Sequence, residues 1–296
     1  MYKYILPLLL WLMVLPVQAH ETHDILVDRI WAITDDEGVT AVFMGVNNTY
    51  GDHPIALIGA SSLQADDVSL MADDESVDRI VIPTDEYVDF TEAGYMIAVM
   101  LHEEHEGPFT LTLTFNMLDH DLHESDESMN VIIGVPLLEE SPEASDIVVA
   151  MPWARPTAMG MTMNHEHEAE THHHGDDATM SAPMFPTAVF LSLFNQGETA
   201  DRLIGVSTPA AEIVEIHETR LVNDVMSMTP TDGIDLPVGE WVELAPGGYH
   251  IMLVNLLHEL YDGEAIMLTL TFESGKELTL AVPVYDAMMM MDESSH

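Results

Sequence analysis

Short apolar segments rich in Val, Ile, Thr and Leu recur along the chain, separated by clusters of Gly, Pro, Asn and Asp. Met267-Leu-Thr-Leu-Thr-Phe272 and Trp241-Val-Glu-Leu244 are examples, and each alternates apolar and polar positions with the period of a half-buried strand. No long 3.6-residue period interrupts this pattern, so the sequence predicts an all-β protein with little helix, built as antiparallel sandwiches or barrels. Gly247-Gly-Tyr-His-Ile-Met-Leu253 also reads as a strand. Its alternation puts His250 and Met252 on one face and Tyr249, Ile251 and Leu253 on the other.

The pattern occurs twice. Ile25-Leu-Val-Asp-Arg-Ile-Trp31-Ala32 corresponds to Ile147-Val-Val-Ala-Met-Pro-Trp153-Ala154, and Thr40-Ala-Val-Phe43 to Thr187-Ala-Val-Phe190. In the same order, Leu57-Ile-Gly-Ala-Ser61 matches Leu203-Ile-Gly-Val-Ser207, Leu101-His-Glu matches Leu257-His-Glu, and Leu111-Thr-Leu-Thr-Phe115 matches Leu268-Thr-Leu-Thr-Phe272. Such internal similarity predicts two copies of one domain, over 20–138 and 147–285, joined by a polar, Pro-containing linker at 139–146. Residues 1–19 read as a secretory signal, with a short apolar run and a small-residue cleavage site at Ala19. The expected compartment is therefore the periplasm, and no span is expected in the mature chain, because no later segment reaches the length a membrane helix needs.

Charge and composition narrow the chemistry. Among 296 residues, 7 are Lys or Arg and 52 are Asp or Glu, a formal net charge of −45. Such a surface repels phosphate backbones, which excludes nucleic acid as a partner and favours cations. Cysteine is absent, while 22 Met and 16 His are present. Thiol catalysis, disulfides and thiolate metal sites are thereby removed, leaving imidazole and thioether as the metal-ligating groups beside the carboxylates.

In the second copy His217 is followed after ten residues by Met228, after twenty-one more by His250, and then by Met252. Two imidazoles and two thioethers form a soft donor set suited to Cu(I) rather than to Mg or Ca. Each residue alone also has an ordinary reading, His217 as a surface histidine and the methionines as core filler. The spacing resembles the periplasmic copper chaperones called PCu(A)C, whose signature is His, ten residues, Met, twenty-one residues, His-x-Met. Trp153-Ala-Arg155, Glu215-Ile-His217-Glu and Pro246-Gly-Gly-Tyr-His250 extend the resemblance across about 147–284. The resemblance implies a cupredoxin-like Greek-key barrel and a Cu(I) site of His217, Met228, His250 and Met252. It further implies delivery of copper toward the copper centre of cytochrome c oxidase, the acceptor being an oxidase subunit or its assembly factor.

In the first copy Met71 stands for His217, Met96 for His250 and Ala98 for Met252, so the four-ligand set is expected to be lost there. The second copy carries an insertion, 158–185, with Met159, Met161, Met163, His165, His167, His172, His173 and His174. These are candidate auxiliary ligands, the imidazoles for Cu(II) and the thioethers for Cu(I). A Met-rich tail spans 286–296, and His102, His105, His120 and His123 are further candidates, expected to be exposed beside acidic neighbours. A carrier rather than an enzyme is the reading these features favour. A storage or resistance protein holding several copper ions is the alternative. An oxidative copper enzyme using the amino-terminal His20 would need a second histidine that the sequence does not identify.

Overall fold

In the computed structural model, residues 25–49, 52–103, 105–119, 122–143, 145–157, 186–222 and 225–286 are described. The signal segment, His120, the insertion ligands (Met159, Met161, Met163, His165, His167, His172, His173 and His174) and the Met288–Met291 run of the tail lie outside the described residues.

The protein is all-β, as the period-2 pattern predicts. The first half forms β1 (Ile25–Thr34), β2 (Thr40–Asn48), β3 (Ile55–Ser61), β4 (Ala65–Ala72), β5 (Glu75–Ser76), β6 (Ile80–Ile82) and β7 (Tyr87–Asp89). One turn of helix, α1 (Phe90–Ala93), precedes β8 (Tyr95–Leu101), β9 (Phe109–Leu118) and β10 (Glu124–Val135). The second half forms β11 (Ile147–Ala154), β12 (Thr187–Asn195), β13 (Asp201–Ser207), β14 (Ala211–Val222) and β15 (Val225–Pro230). It continues through β16 (Ile234–Leu236), β17 (Trp241–Leu244), β18 (Tyr249–Leu256), β19 (Ala265–Phe272) and β20 (Glu277–Pro283).

Each half is a sandwich of two sheets. In the first, β1-β2-β8-β4-β5, with β7 added on β2, packs on β10-β9-β3-β6. In the second, β11-β12-β17-β18-β14-β15, with β12 also pairing β18, packs on β20-β19-β13-β16. Apart from a parallel contact of β17 with β18, the pairings correspond strand for strand, so the sequence repeat is a repeat of topology, with crossovers between sheets of the Greek-key kind. Each sandwich encloses its own core, one around Leu57, Phe90, Ile97 and Phe115, the other around Leu203, Ile251, Leu253 and Phe272. The register bulge between Asp28 and Trp31 recurs between Ala150 and Trp153. Its residues Arg29 and Met151 both have positive φ, 47° and 46°. This local break sets Trp31 on Phe43 at 4.7 Å and Trp153 on Phe190 at 4.6 Å between ring centroids.

The halves pack on one another. The side chains of Gln64 and Thr110 donate to the Gly263 carbonyl at 2.8 and 2.9 Å. β10 crosses β20 so closely that a Cβ at Gly134 would lie 2.5 Å from the Ala281 carbonyl oxygen, and glycine permits that approach.

Candidate metal centre

Three strands of the second half present the motif residues on one sheet face. β14 and β18 are antiparallel neighbours in which His217 pairs with His250 and Glu215 with Met252. β15, at the edge of the sheet, pairs Met228 with Thr219, two residues along β14 from His217. Side chains directly opposite in a ladder share a face, as do residues two apart in a strand. Met228, His217, His250 and Met252 therefore all lie on the face away from the core, which Ile216, Ile251 and Leu253 fill from the other side. The turn before β18 has Pro246 at its second position, Gly247 at φ 89° at its third, and a Gly248 N–H to Ala245 carbonyl bond of 3.0 Å. That is the chemistry of a type II turn, and it starts the strand so that His250 falls opposite His217.

The imidazoles of His217 and His250 lie 5.6 Å apart, centroid to centroid, at 68°. His250 is 5% exposed although it points away from the core. Its Nδ1 lies 3.2 Å from the Gly248 carbonyl oxygen, which can only accept, so in the neutral ring Nδ1 carries the hydrogen and Nε2 the lone pair. The Nε2 of His217 lies 3.0 Å from Oε2 of Glu215, and its Nδ1 is buried with no hydrogen-bond partner. A buried imidazole nitrogen without a partner is costly unless something fills its lone pair. Among the described residues, no group of three or more His, Cys, Asp or Glu side chains is placed to hold a metal. The further donors on this face are the sulfurs of Met252, half-buried, and Met228, 61% exposed on the edge strand.

An aromatic row closes the other side. Phe190 lies 6.4 Å from His250, Trp153 lies against Phe190 at a 34° tilt, and Tyr285 lies 5.8 Å from Trp153. The Arg155 guanidinium covers Phe190 at 5.3 Å. Burial in this row pushes the Tyr285 hydroxyl up to about 12. One flank of the imidazole pair is therefore walled by rings, while the β15 flank, carrying Met228, faces solvent.

Sequence reasoning gave a site role to the four motif residues but none to Glu215 or the aromatic row. The period-2 rule applied to β14 carries the signal for Glu215, two residues before His217 and thus on its face. In the first half Met71 pairs with Met96, and Ser69 with Ala98, at the register of the imidazole pair and of Glu215 with Met252. The hairpin after Met71 turns at once through Asp73 and Asp74, both at positive φ, so the extension that carries Met228 in the second half is missing. His102 lies 3.6 Å from Asp66 and His123 3.3 Å from Asp119, both exposed. His105 departs from the expectation of exposure. It is half-buried, with its ring edge-on to Phe109 at 6.2 Å, because the loop folds it onto that apolar side chain.

Residues 147–284 match the model of the family described as lipoprotein LpqE-like. A 101-residue stretch is 38% identical to lipoprotein Lxx21020 of Leifsonia xyli subsp. xyli, covering 34% of this chain and 61% of that relative's length. Similar solved structures include the copper-bound PCuAC domain from PmoF2, at 26% identity and a TM-score of 0.33 over 48% of this chain and 95% of the other. The Cu(I) form of DR1885 from Deinococcus radiodurans gives 23% identity and a TM-score of 0.30 over 46% and 78%. Among the described residues no helix is long and apolar enough to cross a membrane.

Proposed function

We propose that this protein, whose residues 147–284 match the LpqE-like family, is an exported copper carrier that binds Cu(I) through His217, Met228, His250 and Met252. One observation carries the reading: two cross-strand imidazoles, 5.6 Å apart, of which His217 has a buried nitrogen with no protein partner. The motif spacing and the shared sheet face of the two methionines support it. Neutral imidazole and thioether are soft donors with no proton to lose on the sulfur side, which suits Cu(I) and keeps the thioethers available at acidic pH. Met228, on the edge strand and in solvent, is the ligand an acceptor reaches first, so ligand exchange would begin there.

From the resemblance to PCu(A)C we further propose that the acceptor belongs to the copper centre of cytochrome c oxidase. The His- and Met-rich composition of 158–185 favours a second reading, storage of several copper ions with auxiliary ligands at Met159, Met161, Met163, His165, His167 and His172–174. Anaerobic Cu(I) titration against a competing chelator, read with X-ray absorption, tests the primary site. One tight ion with mixed nitrogen and sulfur ligation is expected, and replacing His250 and Met252 together with Ala should abolish it. Unchanged affinity in that double variant would overturn the assignment. Many ions per chain with little transfer to an acceptor would select the storage reading.

A further inference from the structure

We infer that Glu215 is a positioning residue that selects which nitrogen of His217 faces the metal. The inference rests on the copper reading above and adds the identity of the two ligating atoms. A neutral imidazole carries one hydrogen, and the atom opposite decides which nitrogen holds it. Glu215 Oε2, 3.0 Å from Nε2, is an acceptor when ionised, so the hydrogen resides on Nε2. The lone pair is then on Nδ1, the nitrogen that is buried and without a partner. His250 is set the opposite way by the Gly248 carbonyl, a backbone atom also held by the Thr219 N–H at 3.0 Å. The pair is thus asymmetric: His217 coordinates through Nδ1 and His250 through Nε2.

Strand geometry fixes this arrangement. Glu215 and His217 are two apart in β14, on the same face, and a short carboxylate arm can reach the far nitrogen of the neighbouring ring. The chain contains its own comparison. At the matching register of the first half, where Met71 replaces His217, the position of Glu215 is Ser69. A thioether needs no tautomer, and the carboxylate is absent there. A carboxylate behind a ligating imidazole also raises the basicity of its lone pair, and losing such a partner typically costs about 10–100-fold in metal affinity.

The test uses the full-length mature chain with Glu215→Ala and Glu215→Gln. In metal-free wild-type protein, long-range 1H–15N correlation should show His217 protonated on Nε2 and His250 on Nδ1. Glu215→Ala should give mixed tautomers at His217 and an anaerobic Cu(I) affinity about 10–100-fold lower, with an unchanged far-ultraviolet spectrum. Glu215→Gln, whose side-chain oxygen still accepts, should keep the Nε2-protonated form and bind within a few fold of wild type. Nδ1 protonation of His217 in the wild type, unchanged affinity in Glu215→Ala, or Glu215→Gln behaving like Glu215→Ala would each overturn the assignment. Absence of Cu(I) binding by the wild type would instead overturn the copper reading, while the tautomer measurement on metal-free protein would still report on Glu215.

Discussion

Met228→Ala separates binding from folding, because exposure places Met228 on the functional side of that division. Full burial of a Met side chain contributes about 1.5–3 kcal/mol, and Met228 leaves 61% of its surface in water. Truncation should therefore cost no more than about 1 kcal/mol of stability. As a copper ligand its loss should exceed the about 10–100-fold effect of deleting a supporting partner, so affinity should fall at least about 100-fold, roughly 2.7 kcal/mol. Leu253→Ala, on β18 next to Met252 but facing the core at 0% exposure, is the converse control. Emptying that position should cost about 2–5 kcal/mol, with near-wild-type affinity wherever the protein remains folded. Urea unfolding of the metal-free protein followed by circular dichroism, with anaerobic chelator competition on the same samples, measures both quantities. Wild-type Cu(I) affinity in Met228→Ala, or a stability loss above about 2 kcal/mol, would refute the reasoning.

Two further outcomes follow from the first half and the contact between the halves. Burial pushes the Asp28 carboxyl above its ordinary value, opposed by the Tyr87 hydroxyl that donates to it at 2.7 Å and by Arg29. Between the ordinary and raised values the folded chain binds more protons than the unfolded one, so this group's contribution falls as pH rises through that window and is a net cost at neutral pH. Asp28→Asn, which still accepts from Tyr87, should gain stability relative to wild type from about pH 3 to pH 7, and denaturant midpoints showing a relative loss would contradict this. Gly134→Val should destabilise the packing of β10 on β20 by about 1–3 kcal/mol, since its Cβ meets the Ala281 carbonyl. Small-angle scattering should show a larger radius of gyration, and unchanged scattering and stability would count against a tight contact.

The alternation of apolar and polar residues was enough to specify strands, because each strand buries one face and the side-chain period is two. It also made the repeat legible: Trp31 with Phe43 and Trp153 with Phe190 recur as ring pairs in contact on matching bulges, so aligned residues meet aligned surroundings. Within one strand the same rule paired His250 with Met252. What lay beyond it was register between strands separated in sequence. That His217 faces His250, that Thr219 rather than His217 stands opposite Met228, and that Glu215 stands opposite Met252 are results of how β14, β15 and β18 were aligned by their cores and turns. A shift of one residue would have turned every one of these side chains to the other face. The hydrogen-bond partners that set the two imidazole tautomers, a carboxylate two residues away and the carbonyl of Gly248, likewise depended on distances that only the folded sheet supplies. Residue types and spacing determined which atoms were available as donors, and tertiary structure decided which of their lone pairs were left without a partner.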